Sequence, residues 1–155
     1  MAWIVDQTIT GSELDTVTVT PVVVKTCMMI LYHMLTNPNT THNIRFNADS
    51  GSNYSARRCA DFGADTTVVS QTSINIRQDV ADTSSVSAFI EVVNISAEEK
   101  LVICHTFSSD GINLSGTETI GKWANTSSQI TSVSAVNTST GGFESGSLLA
   151  VIGDE

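Results

Sequence analysis

The residues of this chain with the most chemistry to offer are three histidines, His33, His42 and His105, three cysteines, Cys27, Cys59 and Cys104, and sixteen carboxylates. The histidines lie on or beside apolar segments at wide separation. None stands at a ligand spacing from a cysteine or carboxylate, so structural roles are expected for them. The cysteines are odd in number and form no CxxC pair; three small buried or half-buried thiols are expected, with one disulfide as the alternative. The carboxylates are dispersed, and no G-x-S-x-G elbow, phosphate loop or H-E-x-x-H helix occurs. The densest set of oxygen ligands is Asp49-Ser50-Gly51-Ser52-Asn53. It holds one carboxylate, so a turn explains it better than a Ca²⁺ site. No catalytic residue, metal ligand or cofactor is expected. A sugar site would need exposed amphipathic rings, and only Trp3, Tyr32, Tyr54 and Trp123 are of that type, with Tyr32 and Trp123 reading as core.

The elements around these residues are strands. Ile44 and Phe46 alternate with Arg45 and Asn47, which is the period-2 mark of a half-buried strand; the Asp49–Asn53 run then turns the chain and Tyr54 restarts an extended segment. This reads as a hairpin in which Gly51 takes φ > 0 while Asp49 and Asn53 bond nearby backbone N–H groups. Val and Thr alternate from Leu14 to Thr20. Residues 22 to 35 are nearly continuously apolar and read as a central strand buried on both faces, a helix over Lys25 to Leu35 being the alternative. Ser87 to Ile95 alternates Phe89, Glu91 and Val93 against Ala88, Ile90 and Val92. A polar tip at residues 94 to 100 leads into Leu101 to Phe107, a second core strand. Weaker strands follow over Ile112 to Trp123, Ile130 to Val136 and Ser147 to Ile152. Eight to ten short strands without a convincing helix predict an all-β fold, an antiparallel β-sandwich of jelly-roll type. It spans 1–155 as a single domain, with residues 1–20 an N-terminal arm or edge strands.

The run Arg45-Phe46-Asn47-Ala48-Asp49-Ser50-Gly51-Ser52-Asn53-Tyr54-Ser55, then Gly121-Lys122-Trp123, then Ser128 to Val133, then Phe143-Glu144-Ser145-Gly146-Ser147, resembles a family of small structural proteins of tailed-phage virions. The resemblance covers residues 44 to 153 in order; the family's closing Tyr-Gly is Ile152-Gly153 here. Its motif positions are Arg45, Phe46, Asn47, Asp49, Gly51, Asn53, Tyr54, Trp123, Phe143 and Gly146. It implies a viral protein of the virion surface, non-enzymatic, most simply a capsid decoration or cement protein on the outside of a bacteriophage-like head. Such a protein would fold in the host cytoplasm and form a homo-oligomer, a trimer being expected, against the major capsid protein or other virion proteins. The alternative is a tail-associated adhesion or receptor- and carbohydrate-binding module.

Composition bounds the partners. A formal net charge of −9, with seven scattered basic residues, argues against tracking a phosphate backbone, so no nucleic acid is expected. No apolar run approaches a membrane span and no leader is expected. Six N-x-S/T triplets begin at Asn39, Asn53, Asn94, Asn113, Asn125 and Asn137; a chain rich in Asn, Ser and Thr makes them through its turns, and glycosylation is the alternative. Outward-facing Val, Thr and Ala are expected to supply the self-complementary patch.

Overall fold

A computed structural model describes residues 7–8, 14–80, 84–109 and 112–153. Twelve strands follow one another: β1 (Gln7–Thr8), β2 (Thr16–Val19), β3 (Cys27–Thr36), β4 (Thr40–Phe46), β5 (Tyr54–Ala60), β6 (Thr66–Gln71), β7 (Ile74–Val80), β8 (Ser84–Val93), β9 (Lys100–Ser109), β10 (Leu114–Trp123), β11 (Val133–Val136) and β12 (Leu148–Gly153). They form two antiparallel sheets, an eight-stranded one in the order β1-β12-β3-β8-β9-β10-β5-β6 and a four-stranded one in the order β2-β11-β4-β7. The strands outnumber the eight to ten expected, and β3, β8, β9 and β10 are long, at ten residues each.

The wrapping is that of a jelly roll with one position expanded. With the strands lettered B to I in chain order from β2, the small sheet reads B-I-D-G, and the large sheet reads C-H-E-F once the meander β8-β9-β10 is counted as H. β12 and β1 extend the sheet beyond C. Each change of sheet brings an alternating strand's apolar side onto the opposite sheet, and the core runs continuously through Ile30, Ile44, Phe46, Ile74, Ile90, Val102, Trp123 and Val133, all buried.

Four expectations change here. Ile44–Phe46 and Tyr54 belong to strands in different sheets: β4 pairs with β11 and β7, and β5 with β10 and β6. The loop between them is therefore a sheet-crossing corner and not a hairpin. Positive φ falls on Asn47 (51°) and Ala48 (54°), which turn the chain immediately after β4, so Gly51 is not needed for that conformation. β3 is buried on one face and only half-buried on the other. β9 alternates strictly, with Val102 and Cys104 inward and Leu101, Ile103 and Phe107 exposed, so it is core on one side only. The hairpin between β8 and β9 is as read, with Val93 opposite Leu101. Its tip is held by the buried Lys100, whose Nζ donates to the Asn125 carbonyl at 3.1 Å and to that of Glu98.

The Val and Thr alternation of β2 is also as read: Val17 and Val19 face the core, and the Thr18 hydroxyl meets Ser134 at 2.9 Å. Of residues 1–20, expected as an arm or edge strands, 1–6 and 9–13 lie outside the described residues. No helix among the described residues is long and apolar enough to cross a membrane.

Candidate functional site

The motif positions come together mainly as internal bracing. At the β4–β5 corner, Phe46, Tyr54 and Trp123 form an aromatic cluster with ring centroids 5.9 to 6.3 Å apart, all buried. The Phe46 N–H donates to Tyr54 Oη at 3.0 Å, and that hydroxyl donates back to the Phe46 carbonyl at 3.2 Å, a tyrosine corner closed over eight residues. Burial pushes the Tyr54 pKa up to about 12. Asp49 accepts three hydrogen bonds: from the Trp123 indole (2.7 Å), the Asn53 amide (2.9 Å) and the Gly51 N–H (2.8 Å). Burial opposes its charge, but these bonds and the nearby Arg45 outweigh it, and the carboxyl titrates below its ordinary value.

Asn47 ties the same corner to the segment before β11. Its Oδ1 accepts from the N–H groups of Thr131 (2.8 Å) and Ser132 (3.0 Å), and its Nδ2 donates to the Gln129 carbonyl (2.8 Å). Three separate pieces of the motif are thus one braced unit. Both Asp49 oxygens face N–H donors, an arrangement that repels a cation, so the loop is not built for Ca²⁺. Arg45 donates to the Thr72 carbonyl at 3.1 Å.

The remaining motif pair lies elsewhere. Phe143 bridges the Leu14 and Thr36 backbones, with its ring 5.8 Å from His42. Gly146 takes φ 93°, where a Cβ would also meet Leu35 at 3.1 Å; the neighbouring Ser147 hydroxyl accepts from the Leu35 N–H.

Gly51 has a packing reason to be small, since a Cβ would lie 2.9 Å from Asn53 Nδ2 and 3.1 Å from Asp49 Oδ1. Gly51→Val is expected to cost about 1–2 kcal/mol by displacing Asn53 from Asp49. Urea melts check this: the cost should shrink in an Asn53→Ala background, and an equal cost in both would put the strain in the backbone instead.

Among the described residues the histidines stand apart from one another. His33 bonds Ser87 (2.8 Å) and His105 lies 3.9 Å from Glu118 on the surface. His42 is buried between the sheets with Nδ1 2.6 Å from the Tyr32 hydroxyl. Among the described residues no three His, Cys, Asp or Glu are placed to hold a metal. The cysteines are free, and Cys27, expected inside, is exposed; Cys59 is half-buried and Cys104 buried. Of the sugar-stacking candidates, Tyr32, Tyr54 and Trp123 are buried, and Trp3 lies outside the described residues. Among the triplet asparagines, Asn94 and Asn137 are buried, and their side chains hold backbone groups of Ile130 (2.9 Å) and Thr41 (3.0 Å).

What the large sheet does present is an apolar outer face. The meander places Ile103 between Glu91 and Ile120, Leu101 between Val93 and Lys122, and Phe89 beside Leu31 and His105. Phe89, Leu101, Ile103, Phe107 and Ile120 are each 44 to 54 % exposed, and the Phe89 and Phe107 rings lie 6.1 Å apart. A groove of about 520 Å³ crosses this face, lined by Cys27, Met29, Val93, Leu101, Ile103 and Ile120 among others, with Glu91 the one charged residue among the described lining. The patch is made mainly of Phe, Leu and Ile, with Val93 beside them. Contiguous apolar surfaces of this kind occur at protein–protein contacts, ligand grooves and membrane contacts.

No protein-family model matches the chain, and no curated protein matches it.

Proposed function

We propose that this chain is a non-enzymatic structural protein of a tailed-phage-like virion, a decoration or cement protein that assembles through the outer face of its large sheet. The observation that carries the assembly role is that face: half-exposed Phe, Leu and Ile side chains in register across three long strands, on a sandwich whose motif residues are engaged in bracing the fold. The motif resemblance supplies the virion setting. A homo-oligomer, with a trimer the expected order, buries the apolar face between copies and leaves the acidic remainder toward the major capsid protein.

Counting copies in purified particles tests the setting. A decoration protein is present at a level comparable to the major capsid protein and stabilises the assembled lattice without binding the free subunit; a tail component is present in far fewer copies, and absence from particles overturns both. The same preparation tests the face. Ile103→Asp and Ile120→Asp place a charge in its centre without touching the core and should weaken assembly about thirtyfold or more, with melting temperatures near wild type. Unchanged assembly of both variants would remove the face from the proposal.

The second reading, a tail-associated adhesion module, is favoured by a different feature, a polar cleft lined by residues of β4, β5, β6 and β7.

A further inference from the structure

Between β5 and β6 of the large sheet and β4 and β7 of the small one lies a cleft of about 380 Å³. Its polar lining includes Asn43, Arg58, Gln71, Thr72, Asn75 and Thr138, and its apolar floor is Ala56 and Val68. Among the described residues no carboxylate lines it. Arg58 is half-buried on the inner face of β5, and its Nη1 donates to Asn75 Oδ1. Asn75 is itself fixed by donating to Asn43 Oδ1 (3.0 Å) and the Arg77 carbonyl (3.1 Å).

The charge balance of the cleft is unusual for so acidic a chain. Arg77 reaches a carboxylate through Ser115: Arg77 Nη1 donates to the Ser115 hydroxyl at 2.7 Å, and that hydroxyl donates in turn to Asp61 at 2.7 or 2.8 Å. Arg58 forms no ion pair among the described residues. Burial, and then the neighbouring Arg77 charge, hold its pKa below the ordinary value. Directly across the register on β10 stands Thr119, fully buried, whose hydroxyl makes no hydrogen bond among the described residues. A partly desolvated guanidinium beside a like charge is stabilised by an anion that it can hold with two parallel hydrogen bonds.

We propose that this cleft binds a carboxylate-bearing sugar unit. Arg58 takes the carboxylate; the amide of Gln71 and the hydroxyls of Thr72 and Thr138 take ring hydroxyls; Val68 and Ala56 meet the C–H face of the ring. The volume suits one monosaccharide. Among the described residues the lining offers a guanidinium, amides and hydroxyls but no carboxylate to accept from ring hydroxyls, which favours a charged ligand over a neutral sugar. This site goes beyond the assembly role and does not depend on it.

Isotope-edited NMR titration of the full chain with glucuronate, glucose and acetate, each tested separately, decides the matter. The expected result is saturable shifts at Arg58 Nε–H, the Gln71 amide and the Thr72 and Thr138 N–H groups with glucuronate. Affinity should be at least about tenfold weaker for glucose, which lacks the charge, and for acetate, which lacks the ring. Arg58→Gln should abolish the response and Arg58→Lys should retain part of it, since lysine keeps the charge but not the two-pronged geometry. Failure of wild type to saturate, acetate or glucose binding as well as glucuronate, or an unchanged response in Arg58→Gln would each overturn the proposal; the wild-type titration stands even if a variant does not fold.

Discussion

Trp123→Ala is expected to lower the unfolding free energy by about 3–5 kcal/mol, the range for emptying a large aromatic from a packed core. The ring is buried against both Phe46 and Tyr54, and its N–H is held by Asp49. For a chain of this size such a loss lowers the melting temperature by roughly 10 °C or more. Asp49→Ala should cost about 2–3 kcal/mol, because it strands the indole N–H and releases Gly51 and Asn53 together. The two effects are coupled: in a Trp123→Phe background, where no N–H needs an acceptor, Asp49→Ala should cost clearly less. A double-mutant cycle by urea unfolding measures that coupling, and additive costs would show that the indole bond contributes nothing. Because the folded Asp49 carboxyl titrates below its unfolded value, its contribution is complete above the ordinary carboxyl range and is lost as pH falls below about 4.

A larger pH effect is expected from His42. Burial, and then the Arg77 charge, lower its pKa to about 3. The ring is enclosed by Tyr32 and Phe143, with Nε2 unpartnered among the described residues. The unfolded chain protonates this histidine near pH 6.5 while the folded protein does not, so the unfolded state binds the extra proton and stability falls as pH drops from 6.5 toward 3. Over that window the loss is on the order of 4 kcal/mol, with a limiting slope of about 1.4 kcal/mol per pH unit. Between pH 6.5 and 5, above the carboxyl range, the slope should be nearly that of one proton. Denaturant melts at pH 7.5, 6.5, 5.5 and 5 read it directly. His42→Phe, which keeps the apolar contacts and cannot titrate, should flatten the curve; an unchanged slope would assign the proton elsewhere.

The strand rhythm was legible because period-2 alternation is a local property. Ser87 to Val93 and Thr16 to Val19 alternate as the sequence predicts for that reason, while Leu14, expected inward, is exposed. What the alternation does not encode is which sheet a strand joins. Residues 44 to 54 carry the same local pattern whether Tyr54 pairs back on Phe46 or crosses to the other sheet, and the deciding contacts come from Gln129 to Ser132 and from Trp123, far along the chain. Gly51 drew attention as the residue most tolerant of φ > 0, yet Asn47 and Ala48 carry that conformation, with the Asn47 side chain held by three backbone groups of a distant loop.

The outer apolar face was hidden by its own composition. Leu101-Val102-Ile103-Cys104 is apolar on both sides, which reads as a fully buried strand; in an antiparallel sheet with one face uncovered, it means an exposed patch. The cleft around Arg58 left no local signature. Its residues come from four strands and the segments beside them, and a pair of adjacent arginines says nothing of which one pairs with a carboxylate, as Arg57 does with Asp65.

The meander that stands in one jelly-roll position has three strands, an odd number, so the chain leaves β10 in the direction in which it entered β8. A hairpin is therefore a removable module at this point of the fold: taking out β8 and β9, or adding two strands ahead of β10, changes the width of the large sheet while β10, which carries Trp123 into the corner, keeps its direction and its route to β11. The fold can scale its contact surface independently of the braced corner that closes it.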